Sequence, residues 1–433
     1  MERLTYDRLL STWRGYGAPR ARWRVGGEYE RAVVRGDGRA VAYDDADGIR
    51  WILERLAAKT GWKLKREGES PIEVVGPGEA GSITLEPGGQ VELSGAPFLR
   101  LADLAAEVRQ NRAQLYELAE GHDLHWIACG LTPYARIADI PFVPKGRYRV
   151  MREYLPQHGE LAHWMMKGTC SVQANYDYAD EEDCARKFRV ALDLAALNTA
   201  MFANSPVAEG KATGFASWRA YVWTKTDPDR TGFPPKVRAR YTHAGWIDYL
   251  LDVPMMFYRP GGEWRPANGV PFRKWMEEGI DGVYPTAADW DLHQTSVFPE
   301  VRVKRTIEIR GADAVPVDLA IAFCALWTGL LYGDLDSAEV LARKFAAADD
   351  HEARHLAAAK HGLDARFGPH SGAEWAQALV QLATNGLKEI GEDASLLHPL
   401  AARVEAGRSP AKDYVEAWER DPSPANILRA VAY

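Results

Sequence analysis

The chain has 433 residues, 46% of them hydrophobic and 26% charged, with a formal net charge of −7. That balance suits a globular protein with an ample core, and it leaves no basic footprint for nucleic acid. The longest apolar run, Leu319–Tyr332, is too short to span a bilayer and is predicted as a buried helix, so no membrane partner is expected. Met1–Leu10 has no apolar core, so no signal peptide is expected. Cys129, Cys170, Cys184 and Cys324 lie far apart without a CxxC pair, which argues against a zinc site or disulfide framework and makes the cytoplasm the expected location.

In chain order, Leu4–Trp13 reads as a short helix and Arg22–Val34 as a strand with Glu28 and Glu30 on one face. Asp45–Gly61 is a helix with Ile49, Ile52, Leu53 and Leu56 on its apolar side. Ser82–Leu93 reads as two short strands around Pro87-Gly88-Gly89, Pro97–Glu120 as a long amphipathic helix, and Ile127–Leu131 as a strand. Lys167–Tyr178 alternates, placing Thr169, Ser171, Gln173, Asn175 and Asp177 on one face; a helix follows from Asp180 to about Ala203. Ser217–Thr224 is predicted as a strand, Asp227–Pro235 as a loop, Ala244–Leu251 as a helix, and Pro260–Pro271 as a loop or hairpin. In Phe298–Asp313, Val301, Val303, Ile307 and Ile309 alternate with Arg302, Lys304, Glu308 and Arg310, which predicts one strand ended by Gly311. The remainder is helical and Ala-rich. Strands separated by long helices without a regular βαβ rhythm imply an α+β fold with a mostly antiparallel sheet.

Glu28, Glu30, Glu86, Glu92 and Glu308 would crowd one face if these strands share a sheet. Like charges at close range are tolerated only beside cations, and a hard divalent ion with oxygen ligands resolves them. Arg219, Arg230 and Arg310 are matching forks for carboxylate or phosphate, with Arg147 and Arg152 as further candidates. There is no Walker A sequence around Gly210-Lys211 and no GxGxxG opening a helix. His351-Glu352-Ala353-Arg354-His355 matches HExxH, but its polar, Ala-rich setting predicts an exposed helix with i,i+4 pairs. Trp126, Trp164, Trp218, Trp223 and Trp246 are expected in the core.

The segments VGGEYE, SITLEPGGQVELSGAP, DIPFVPKGRY, TCSVQANYDY, FANSPVAEGKATGF, DPDRTG, LDVPM and FPEVRVKRTIEIRGAD occur in the order seen in glutamate–cysteine ligases of the plant and proteobacterial type, and Arg22–Gly333 resembles that family. The resemblance implies a glutamine synthetase-like catalytic fold, a curved antiparallel sheet covered by helices, with residues 1–333 as the ligase region and 334–433 as a helical region packed on the same domain. It implies ATP as co-substrate with two or three Mg²⁺ ions, L-glutamate and L-cysteine as the joined molecules, and a monomer or homodimer. Glu28, Glu30, Glu86, Glu92, Gln173 and Glu308 would be metal ligands. Arg152, Arg219 and Thr169 would contact glutamate, Asn175 and Lys304 the nucleotide, and Arg230 and Arg310 the phosphate or acyl phosphate.

Two departures stand out. The family's Gly-Thr-Glu-His-Glu is Gly26-Gly27-Glu28-Tyr29-Glu30 here, and Ala267 stands where plant members carry a redox cysteine, with a shorter loop after Trp275. A ligase using another amine, and a non-catalytic nucleotide-binding or structural paralogue, are the alternatives.

Overall fold

A computed structural model describes residues 3–433; Met1 and Glu2, which open both the charged N-terminal stretch and the expected catalytic region, lie outside the described residues. Nine strands form the main sheet: β1 Val25–Val34, β2 Lys63–Glu67, β3 Ser70–Val75, β4 Ser82–Leu85, β5 Val91–Ser94, β6 His125–Ile127, β7 Ser171–Tyr176, β8 Val301–Val303 and β9 Ile307–Asp313. Their order is β8-β9-β7-β1-β5-β4-β3-β2, with β6 on the far end of β1, and every pairing is antiparallel.

Alternation decides the two faces. On one, Tyr29, Val172, Ala174, Tyr176, Ile307 and Ile309 are buried in the main hydrophobic cluster, which also takes in the buried helix Val317–Thr328. The other face carries Glu28, Glu30, Glu92, Gln173, Asn175 and Glu308. Register brings them together: Glu30 lies opposite Glu92, Glu28 opposite Gln173 and Glu308 opposite Asn175. On the buried face Tyr29 folds back over Gly27, where an added Cβ would sit 2.1 Å from the Tyr29 hydroxyl. The paired departure at these two positions is therefore one packing unit: the larger ring needs the missing side chain.

The helices after Gly333 share the same core, since Ala338, Phe345, Ala358, Leu379 and Leu400 belong to the cluster that contains Tyr29. The helix Gly372–Glu389 approaches backbone to backbone: a Cβ on Gly386 would meet the Gly329 carbonyl oxygen at 2.0 Å.

Several elements differ from expectation. Phe298–Asp313 is a hairpin. Val303 pairs with Ile307 across residues 304–306, so odd positions stay on the buried face through the turn and the text alternates as though unbroken. Gly311 does not end β9; the register shifts between Ile309 and Ala312 and the strand runs on to Asp313. Ser217–Thr224 is not a strand but the helix Trp218–Thr224, capped by the Ser217 hydroxyl accepting from the Ala220 N–H at 3.0 Å. The backbone N–H groups of Ala216 and Ser217 donate to the carbonyls of Lys360 and Ala359, a tertiary contact that overrides the strand-favouring Trp, Tyr and Val. Lys167 and Gly168 end a helix, Ala162–Gly168, so Thr169 precedes β7. The helix after Asp180 breaks at Leu194. The hairpin β2–β3 was not anticipated.

Candidate active site

The acidic face of the sheet opens into a cleft of about 410 Å³. Glu28, Glu30, Glu86, Glu92, Thr169, Gln173, Arg219, Lys304 and Arg310 all line it. One carboxylate oxygen each of Glu30, Glu86 and Glu92 lies within 4.8 Å of the others. Their hydrogen-bond partners are neutral: Glu30 accepts from the Ser171 N–H (2.7 Å), the Ser171 hydroxyl (2.9 Å) and the Gln173 amide (3.0 Å), while Glu92 accepts from Thr84 (2.9 Å) and Ser94 (2.8 Å). Withdrawal from bulk water, then the charges of Glu86 and Glu92, push the Glu30 carboxyl up to about 8. Burial, then Glu308 and Glu92, raise Glu28 to about 7; burial, then Glu86, raise Glu92.

Glu308 is arranged differently. It is fully buried and does not join the trio; Arg302 grips it with two prongs at 2.6 and 2.8 Å, Arg310 adds a third donor, and Lys304 stands 3.6 Å away. Burial opposes its charge, but Arg302, Lys304 and Arg310 outweigh that and hold its carboxyl well below the usual carboxylate range. Gln173 bridges the two ends, donating to Glu30 and accepting from Arg310. Asn175 donates to Glu28 at 2.8 Å and accepts from Thr306 at 3.0 Å, beside Lys304 at the hairpin turn.

Opposite the trio, Arg219 enters the cleft from the helix Trp218–Thr224. It is 4% exposed, one terminal nitrogen donates to the Arg310 carbonyl at 3.0 Å, and its Nε takes no protein partner. Arg147, on the helix Gly146–Tyr154, also lines the cleft with a buried Nε that takes no protein partner. A buried donor without an acceptor carries a desolvation cost.

Two expected site residues lie elsewhere. Arg230 is fully buried outside the cleft, bonded to Asp227 (2.6 Å) and to the carbonyls of Ser296 (3.2 Å) and Pro254 (2.8 Å), so all its arms are engaged in holding the loop. Arg152 sits on the outer side of its helix with 45% of its side chain exposed, near Glu153. Five residues separate it from Arg147, about 140° around the helix, so the two side chains leave on different faces and only Arg147 lines the cleft. The lining residues Glu73, Gln90, Lys145 and Tyr148 were not anticipated, and Trp223, expected in the core, lines the cleft beside Phe298. Glu73 arrives on the unanticipated hairpin β2–β3; Lys145 and Tyr148 flank Arg147, so the cluster of cations in KGRYR was the available signal.

The HEARH helix is buried along one face rather than solvated all round. His355 is 3% and Arg354 2% exposed, His351 meets Asp193 at 3.0 Å and His355 stands 3.7 Å from Glu300. An Ala-rich helix can press closely against neighbours, and this one lies against the helices Ala195–Phe202 and Trp218–Thr224. All four cysteines are buried and free.

A family model described as glutamate-cysteine ligase family 2 (GCS2) matches residues 24–429. The chain is 37% identical over 424 residues to a chloroplastic glutamate–cysteine ligase of Solanum lycopersicum, covering 96% of this chain and 80% of the relative. It is 36% identical over 426 residues to that of Arabidopsis thaliana, with the same coverage. Among solved structures, a glutamate–cysteine ligase from Francisella tularensis in complex with AMP superposes with a TM-score of 0.59 at 14% identity, covering 96% of this chain and 89% of that one; it shares the fold. These findings agree with the resemblance read from the motifs. They overturn the expected cytoplasmic location, since these relatives are named chloroplastic. Buried, unpaired thiols suit any reducing compartment and so never selected the cytoplasm.

Proposed function

The chain belongs to glutamate-cysteine ligase family 2, and on that premise we propose that its cleft joins the γ-carboxylate of L-glutamate to the amine of L-cysteine at the expense of ATP, releasing ADP and phosphate. The observation that carries this is the meeting, in one cleft, of the Glu30–Glu86–Glu92 trio with Arg147, Arg219 and Arg310.

Arg219 and Arg147 hold the carboxylates of glutamate, with Thr169 beside them. Arg219 approaches from the helix Trp218–Thr224 and is fixed through the Arg310 carbonyl, so its fork is set before substrate arrives. Lys304 and Asn175 lie at the β8–β9 turn and take the nucleotide side. Arg310, steadied by Glu308 and Gln173, faces the transferring phosphoryl group. The γ-carboxylate attacks the γ-phosphorus, the bond to the β-phosphate oxygen breaks, and ADP leaves. The deprotonated amine then attacks the acyl carbon and phosphate departs. Little covalent work falls to the protein, so positioning and charge dominate.

The donor set fits Mg²⁺: three crowded carboxylates offer hard oxygen ligands and have only neutral hydrogen-bond partners. Glu30, Glu86 and Glu92 would hold it, with Glu28 and Gln173 adjoining, and two or three ions are taken from the family resemblance; Glu308, already matched by Arg302, Lys304 and Arg310, is left out of the ligand set. When bound, the ions neutralise charge on the β- and γ-phosphates. The ligase region is taken as residues 1–333 and the helices beyond as a region packed on the same domain, supported by the shared core. The chain is taken as a monomer or homodimer.

The test is nucleotide product and amine acceptor measured with Mg-ATP, glutamate and a panel of amino acids. ADP with γ-glutamylcysteine is expected. AMP with pyrophosphate would sink the acyl-phosphate route, and preference for another amine would change the acceptor.

A further inference from the structure

Asp313 is 1% exposed, absent from the cleft lining, and bonded on both oxygens. Its Oδ2 accepts from the Ser205 hydroxyl and the Asn204 N–H, both at 2.7 Å; its Oδ1 accepts from the Ser217 hydroxyl at 2.8 Å. An Arg219 nitrogen stands 3.8 Å from Oδ1. Ser205 and Ser217 both act on the first turn of the helix that carries Arg219. The Ser205 hydroxyl accepts from the Arg219 N–H at 3.1 Å, and Ser217 caps the same helix. A Cβ on Gly130 would meet the Asp313 carboxyl carbon at 2.4 Å, so the group cannot shift that way. A buried carboxylate is costly unless its bonds and counter-charge are complete. Here every partner belongs to Arg219, to the turn that presents it, or to the segment paired with that turn.

We infer that Asp313 is a positioning residue for glutamate: it anchors the start of the helix Trp218–Thr224 through Ser205 and Ser217 and supplies the counter-charge that sets the Arg219 guanidinium toward the cleft. The inference rests on the reading of Arg219 as the contact to a glutamate carboxylate. The site it serves is the donor-acid end of the cleft, so the defect is selective for that substrate.

Asp313→Asn keeps the shape but removes the charge. The Michaelis constant for glutamate is expected to rise about tenfold, with that for ATP unchanged within about twofold and kcat falling by less than about threefold. Ser205→Ala removes the hydroxyl that joins Asp313 Oδ2 to the Arg219 N–H but leaves the carboxylate in place, and should give the same selective pattern at about threefold. It decides the matter if Asp313→Asn does not fold. Arg219→Lys is measured alongside. An unchanged glutamate constant in Arg219→Lys would remove the reading on which the inference rests. A raised constant there, with Ser205→Ala and any folded Asp313→Asn unchanged for glutamate or equally impaired for ATP, would overturn the inference alone.

Discussion

Glu30 and Glu308 lie on the same face of one sheet, on strands separated only by β7, and their carboxyls go opposite ways. At the acid end Glu30 meets other carboxylates and neutral donors and is pushed up to about 8. At the arginine end Glu308 is more deeply buried, yet Arg302, Lys304 and Arg310 hold it well below the ordinary range. Burial pushes both carboxyls up and is the largest cause at Glu30; what separates the two is the sign of the nearest charges. The first end is short of cations and the second is already balanced, which is why only the first reads as a place for added positive charge.

The contrast breaks most sharply at Glu30. Glu30→Gln should lower turnover by at least about a thousandfold, or about 4 kcal/mol of transition-state stabilisation. The same change should raise the stability of the metal-free protein near neutral pH by about 1 kcal/mol, because Glu30, raised to about 8, must otherwise take up a proton on folding or sit charged beside Glu86 and Glu92. Phosphate release and urea unfolding read the two effects; near wild-type turnover would put Glu30 outside the reacting centre.

Glu308→Gln makes the identical chemical change and should act with the opposite sign on stability. Arg302 would lose a charged, two-pronged partner inside the protein, at a cost of about 3 kcal/mol. If its urea midpoint matched that of the wild type, the arginine end would not be the balanced cluster described here.

Magnesium sharpens the comparison further. At about a hundredfold excess over its dissociation constant, Mg²⁺ should stabilise the wild type by about 2.7 kcal/mol, and a chelator should reverse it. Glu30→Gln should lose most of that gain. Thermal unfolding that ignores both Mg²⁺ and chelator would count against the trio as a metal site.

The smallest effect is expected at Arg152. Its side chain is exposed and away from the cleft, so Arg152→Ala should change the glutamate constant by less than about twofold and stability by about 0.5 kcal/mol or less. A large rise in that constant would mean the helix Gly146–Tyr154 turns a different face to substrate.

Much of the site was readable before any fold was known, because a strand's alternation is local. Glu28 and Glu30, Gln173 and Asn175, and Arg302 and Glu308 share faces by counting in twos. The β8–β9 hairpin escaped notice for the same reason: its turn preserves parity, so no break shows in the pattern. Ser217–Thr224 misled because its bulky residues favour strand, whereas its conformation is set by a cap and by carbonyls from residues 359 and 360. Arg230 and Arg152 look as suitable as Arg219 in the text. Which arginine reaches the cleft depends on a loop closing on Asp227 and on the rotation of a helix, and neither is a property of the residue itself.

The sequence by itself determined the alternating carboxylates, the order of the motifs and hence the family, since these are carried by residue identity and spacing within single elements. Tertiary structure alone decided which carboxylates crowd and which are balanced, that the HEARH helix is buried, and that Asp313 serves Arg219. The trio, the HEARH contacts and the Asp313 links join segments tens to hundreds of residues apart, whereas Glu308 is balanced within its own hairpin by Arg302, Lys304 and Arg310 once that hairpin is closed and buried. Charges in water are weakened by its high dielectric constant and screened over about 8–10 Å at physiological salt, so such a site exists only once the sheet has closed the distance.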